Sequence, residues 1–143
     1  MAVHYTRPSK NRNLEWFMVA VSTLFGAWQL LPFDAMITPA YETVTDWAQE
    51  TVWGALFLVL GVIHGGALGI NGRVWWSPLV RFVAVSLGAM VYALFSAAFA
   101  AAYFGSTAVP IYALFSAGMI ACAIVAARDA EYARGLKHGA TDA

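Results

Sequence analysis

The sequence predicts an all-α integral membrane protein: a four-transmembrane-helix bundle in one membrane domain (residues 1–143), with both termini cytoplasmic. Three observations carry that prediction. Of the 143 residues, 61% are hydrophobic and 11% charged, where an ordinary soluble domain has roughly 45–50% apolar and about 25% charged residues. Four apolar runs, approximately 14–31, 52–70, 79–104 and 109–127, reach or approach the about 20 helical residues needed to cross a ~30 Å hydrocarbon core. With four crossings, all eight Lys and Arg residues fall on one side of the membrane.

The first run has Glu15 at its edge and a basic approach, Arg7, Lys10 and Arg12. Such a start also suits a signal peptide, but Trp28-Gln29-Leu30-Leu31-Pro32 offers no small-x-small cleavage site, so the run is expected to be retained. The second run is interrupted only by His64, and the fourth carries no charge. The third is long enough to tilt and has Arg81 two residues from its start, close enough to snorkel outward. None of the runs alternates apolar with polar residues as a barrel strand would, and in lipid a continuous apolar run satisfies its backbone as a helix. Arg73, Arg128, Arg134 and Lys137 complete the cationic side, while Asp34, Glu42, Asp46 and Glu50 occupy the other, which places both tails in the cytoplasm.

The connections differ in length. Residues 33–51 form the only sizeable loop, on the outer side. Thr38-Pro39 within it pairs a capping hydroxyl with a proline at the first helical position, and residues 40–50 follow as a short interfacial helix or an extension of the second span. Asn71-Gly72 and Ser77-Pro78 bound a short cytoplasmic link, and Gly105-Ser106-Thr107 makes a tight outer turn. Trp75 and Trp76 in the link, with Trp47 and Trp53 opposite, are candidate interface anchors. The tail, 128–143, is expected to continue briefly as a polar helix and then lose structure.

Several classes of function are excluded. Eight basic residues balance eight acidic ones, leaving no field for nucleic acid. A single cysteine, Cys122, allows neither an intrachain disulfide nor a Cys-based metal site. No cluster with metal-ligand spacing, nucleophile motif, phosphate loop or selectivity filter occurs, so an enzyme with a cofactor or metal is not expected. Glu42, Asp46 and Glu50 recur every fourth residue and predict a solvated face.

Association of helices in lipid depends on close approach and on hidden polar groups. Small residues recur at spacing four: Gly61, Gly65 and Gly69 in the second span, Ala89, Ala93, Ala97 and Ala101 in the third, Ala113, Ala117 and Ala121 in the fourth, and Ser22 and Gly26 in the first. These rows hold the bundle together, or at least one of them, above all the glycine row, builds a homo-oligomer. His64 is the ionisable residue well inside a span. At 1.5 Å per residue, Ser22, His64 and Ser86 come to similar depths, so a neutral imidazole bonded to hydroxyls is expected, with a proton relay or gate as the alternative. Haem ligation is disfavoured because His4 and His138 lie in the tails. The repeated Tyr-Ala-Leu-Phe-Ser-Ala at 92–97 and 112–117 brings Ser96 and Ser116 to similar depths as a possible pair. Gln29 is expected to snorkel or to bond across helices.

Taken in order, Trp28-Gln29-Leu30-Leu31-Pro32, Thr38-Pro39-Ala40-Tyr41, Val52-Trp53-Gly54-Ala55, Ile70-Asn71-Gly72, Ser106-Thr107 and Ala126-Ala127-Arg128-Asp129-Ala130 resemble small four-span membrane proteins of tailed bacteriophages and prophages. The chain departs from that group at His64 and the glycine row, where bulkier or basic residues are the rule. The resemblance implies a phage product of the bacterial inner membrane. The expected activity is that of a holin-like protein that oligomerises through small-residue faces and permeabilises the membrane. Alternatives are an interaction protein, acting in superinfection exclusion or as an accessory subunit, and a small channel or proton-coupled carrier using His64. Its partners would be the lipid bilayer and itself or another membrane protein.

Overall fold

The computed structural model describes residues 12–33, 36, 39–71 and 73–139. The chain forms α1 (Asn13–Gln29), a 3-10 turn (Pro39–Tyr41), α2 (Glu42–Trp47), α3 (Glu50–Gly69), α4 (Ser77–Ala102) and α5 (Ala108–Gly139). The four long helices pack α1 on α3, α3 on α4, and α4 on α5, with α5 returning to touch α1. Three of them, α3, α4 and α5 as far as Arg134, are long and apolar enough to cross a membrane. This makes the protein a helical bundle of membrane-spanning type.

Its outer surface supports the same conclusion. Leu24, Leu114 and Phe104 are 69%, 70% and 81% exposed, and Trp16, Phe17, Val62 and Met90 are at least half exposed. Water would penalise so continuous an apolar exterior, whereas hydrocarbon does not.

The helix ends follow local chemistry. α1 stops at Gln29, two residues before the expected end of its run, because Pro32 lacks an amide donor and disfavours helical backbone at Leu31. Its 17 residues measure about 25 Å, below the ~30 Å of a hydrocarbon core. Ser77 and Pro78 open α4, and the buried Ser77 hydroxyl donates to the Ala67 carbonyl near the end of α3. At the start of α5 the Ser106 hydroxyl accepts from the Ala108 amide at 3.2 Å. α5 continues without a break past the expected end at 127, since its polar extension still contains good helix formers, Ala, Glu, Arg and Leu. The unstructured tail expected beyond it falls on 140–143, outside the described residues.

The outer loop is neither one interfacial helix nor an extension of α3. Ala48 and Gln49 are extended and separate α2 from α3. The Trp53 indole crosses this break to donate to the Val44 carbonyl at 3.0 Å, a second bond to an oxygen that also accepts from the Ala48 amide at 3.3 Å. Trp53 is therefore a buried strut (9% exposed), while Trp47, Trp75 and Trp76 stay exposed as anchors would be. Glu42 and Asp46 are exposed on α2, but Glu50 stands on α3 and accepts from the Met36 amide at 3.2 Å, so the three acids do not share one solvated helix face. Asp34 and the Thr38 capping hydroxyl lie outside the described residues.

Two kinds of packing hold the bundle. The α1–α3 contact is a close backbone approach: a Cβ on Gly26 would meet the Leu58 amide nitrogen at 2.3 Å, and one on Gly61 would meet Thr23 Oγ1 at 2.5 Å. A Cβ on Gly65 would meet Val19 at 2.9 Å, whereas Gly69 has nothing within 4 Å. Two members of the glycine row are thus spent inside the bundle. The other kind is aromatic. Phe57 meets Phe25 edge-on at 5.0 Å and Phe95 at 5.3 Å, and Tyr112 stacks on Phe99 at 5.4 Å. Each such pair contributes about 0.5–1.5 kcal/mol beyond its burial.

Gly26→Ala is expected to lower stability by roughly 1–3 kcal/mol, because the clash is with backbone that cannot give way. Gly69→Ala should be neutral or slightly stabilising, as alanine is the better helix former. Unfolding titrations in mixed detergent would read both, and equal effects would refute the close-approach account.

Candidate functional site

Glu15, Arg81 and Asp129 converge at one end of the bundle. The start of α1, the end of α3, the start of α4 and the stretch of α5 around Asp129 meet there, and Arg81, on the second turn of α4, is fully buried. Its Nε and Nη2 donate to Glu15 Oε1 at 3.1 and 2.6 Å. Nη1 and Nη2 donate to Asp129 Oδ2, both at 3.2 Å. Three helices thereby share one guanidinium, which engages four of its five N–H groups.

This geometry replaces two expectations. Arg81 does not snorkel, and Glu15 is not an edge charge but is 3% exposed. The reason is length and direction: a side chain on the second turn of a helix points back toward the helix start, where carboxylates on α1 and α5 intercept it before it reaches the interface. Arg12, three residues before Glu15, adds a second cation acting on that carboxylate. Two cations and two anions then balance locally, as a low-dielectric site demands.

His64 lies beside this cluster. From the Ser77–Ala67 contact, three residues along both antiparallel helices bring His64 level with Val80, next to Arg81, whose charge acts on it. The imidazole is 1% exposed, and neither ring nitrogen has a partner. The expected hydroxyl network is not formed. Ser22 instead pairs with the Tyr92 hydroxyl at 3.1 Å, and Ser86 is half-buried on the α4–α5 side. Nor do Ser96 and Ser116 pair: Ser96 donates to the Val109 carbonyl and Ser116 to the Ala89 carbonyl, both at 2.9 Å. Hydroxyls on helices find neighbouring carbonyls more readily than each other, since the carbonyls are fixed and point along the contact.

Gln29 departs from expectation in the same way. It is 3% exposed, and both amide atoms lack partners, its Cβ being pressed toward Gly54 by the α1–α3 approach. Of the alanine rows only Ala89 is buried (8%). Ala93, Ala97, Ala101, Ala113 and Ala117 face outward and Ala121 is half-buried, so the α4 row turns away from the bundle. Gly88 makes the actual approach to α5, where its Cβ would meet Met119 at 3.1 Å. Cys122 is a buried free thiol. His4 lies outside the described residues.

The arrangement is a three-helix ionic clamp with a buried, unpartnered imidazole beside it. No family model matches the chain, and neither a characterised protein nor a solved structure does.

Replacing Arg81 with Gln strands two carboxylates and should destabilise by about 3–5 kcal/mol. Replacing Glu15, Arg81 and Asp129 together with Leu should restore most of that loss. The same detergent titrations test this, and a triple variant as weak as Arg81→Gln would show that the cluster is not a self-contained charge balance. His64→Leu removes two unsatisfied polar atoms and should leave stability unchanged or higher. A loss of more than about 1 kcal/mol would instead mean that the imidazole is paired in the membrane.

Proposed function

We propose that the chain is a non-enzymatic, holin-like protein of phage type. It crosses the bacterial inner membrane four times with both termini in the cytoplasm, oligomerises laterally and permeabilises the membrane. The distribution of cations supports the orientation, since Arg12, Arg73, Arg128 and Arg134 all belong to the end where the triad lies. For α1, the exposed apolar residues Leu14, Trp16, Phe17, Leu24 and Trp28 support a fourth crossing, and its short length is met by local thinning of the bilayer.

The observation that carries the lateral-assembly reading is the outward alanine row. Ala93, Ala97 and Ala101 on α4, with Ala113 and Ala117 on α5, are exposed at spacing four. Small residues let another helix backbone come close. The oligomerising face is therefore assigned to α4 and α5, in place of the glycine row, whose Gly61 and Gly65 α1 already covers.

A second reading, an interaction protein serving in superinfection exclusion or as an accessory subunit, is favoured by the closed core. Rings of Phe25, Phe57, Tyr92, Phe95 and Tyr112 fill the bundle, as suits a body that docks as a unit. A third, a channel or proton-coupled carrier, draws on the unpartnered His64.

Controlled expression in a bacterial host separates them. Under the holin-like reading, membrane potential collapses and growth stops, and Ala93→Leu with Ala113→Leu delays both while leaving the monomer intact. Potential that survives prolonged expression rejects this reading, and phage resistance without toxicity selects the second. Ion flux that His64→Ala abolishes without loss of folded protein selects the third.

A further inference from the structure

A groove runs along the α4–α5 contact on the outside of the bundle. Its upper part, about 340 Å³, is lined on α4 by Phe82, Ser86 and Ala89 and on α5 by Ile120, Ala123, Ile124 and Ala127. Its lower part, about 150 Å³, shares Phe82 and Ala127 and ends at Glu131 and Arg134. The α5 lining residues recur at spacings of three and four, so they form one continuous face of that helix. Alanines at 123 and 127 make the furrow, and Phe82, Ile120 and Ile124 wall it.

The dimensions match half a bilayer. Fourteen residues separate Ile120 from Arg134, a rise of about 21 Å, and one leaflet with its headgroup region measures about 20–22 Å. Ile120 lies at the middle of the span-length part of α5, Ala108–Arg134, and Arg134 at its end. The furrow thus runs from the depth where acyl chains terminate to the depth of the phosphates. It is mainly apolar along its length and ends at its mouth in one cation, Arg134, and one anion, Glu131. Arg134 is exposed and, among the described residues, forms no ion pair, and Glu131 is the anion that competes with a ligand there.

We infer that the groove is a lipid site: one acyl chain of an anionic phospholipid lies along the α4–α5 furrow with its phosphate against Arg134. An Arg beside the headgroup layer recognises phosphate by paired N–H bonds, and each basic residue near a membrane surface adds severalfold to the affinity for anionic lipid. A zwitterionic lipid brings the same chain but no net charge. The outward alanines at 93, 113 and 117 lie beyond Ser86, Ala89 and Ile120 in the other half of the span, so lipid and a neighbouring copy would not compete for one surface. The inference rests on the membrane-embedded reading of the helices but not on holin-like activity.

The full chain is reconstituted in bilayer nanodiscs of equal phosphatidylglycerol and phosphatidylcholine, released, and its retained lipids are counted by native mass spectrometry. Retained phosphatidylglycerol should exceed phosphatidylcholine about fivefold. Arg134→Gln should bring the ratio near one, Glu131→Gln should raise it, and Ala123→Leu with Ala127→Leu should reduce retention of both lipids. Excess inorganic phosphate should leave the ratio unchanged. A wild-type ratio near one, or one indifferent to Arg134→Gln, overturns the inference, as does displacement by inorganic phosphate, which would mark a free-anion site. Loss of a dimer on filling the furrow would assign it to a second copy instead. Failure of the chain to enter the bilayer at all would overturn the membrane reading rather than this site.

Discussion

A guanidinium cannot be left uncompensated among apolar helices. Placing Arg at the centre of a membrane helix costs about 2.5–3.5 kcal/mol on insertion scales, and breaking a buried pair costs more. Arg81 therefore imposes a condition on the rest of the chain: Glu15 of α1 and Asp129 of α5 must reach the same point. That condition sets the helical rotation of both partners and the height at which they stand. With α1 so held, Val19, Thr23 and Gly26 lie against α3, where Gly54, Gly61 and Gly65 permit close contact, and Ser22 faces Tyr92 of α4. Met18 then reaches Gly118 of α5, where a Cβ would stand 3.0 Å from its sulfur. The charge cluster and the glycines belong to one solution, since rotating α1 to release either would lose the other.

The two ends of the bundle are held by different physics. Ionic contacts act at the cation-rich end. Toward the other, rings interlock, from Phe57 through Phe95 to Tyr112 and Phe99, and Tyr41 of the 3-10 turn packs edge-on against Phe99 at 4.8 Å. Between them lies His64, buried and unpaired. Structural and functional accounts of this imidazole differ in one respect only, whether its burden on stability is matched by a use.

Much of the fold was legible because lipid makes the helical pattern strict. Apolar length located the four long helices to within two residues at every boundary except the end of α5, which runs on from 127 to Gly139, and Pro32, Ser77-Pro78 and Gly105-Ser106-Thr107 marked their limits. What could not be read was rotation. Small residues every four positions appear on α3, α4 and α5 alike, yet only those of α3 are mainly spent on a neighbour, because aromatic volume on α4 turns its alanines outward. The charge cluster was missed for a related reason. Glu15 and Arg81 stand within a few residues of a helix start and Asp129 two residues beyond the fourth apolar run, where snorkelling is the ordinary outcome. The available signal was that an acid and a cation inside two runs and an acid just past a third lie at the same end, where buried charges are tolerated when they meet. Trp53 misled in the same way, since an indole at a span boundary suits an interface until a carbonyl with a spare lone pair, such as that of Val44, comes within reach.

The way Arg81 divides its bonds also bears on how the chain can be assembled. α4 and α5 are joined by a short turn and already contain both Arg81 and Asp129, so this hairpin carries an internally neutral pair before any other helix joins it. Glu15, by contrast, belongs to α1, which precedes that hairpin in the chain, and has its cationic neighbour Arg12 beside it. Each half can thus enter the bilayer with its charge locally offset, and the 2.6 Å contact between Glu15 and Arg81 closes only when the halves dock. The salt bridge is then a latch on a finished bundle rather than a prerequisite for insertion.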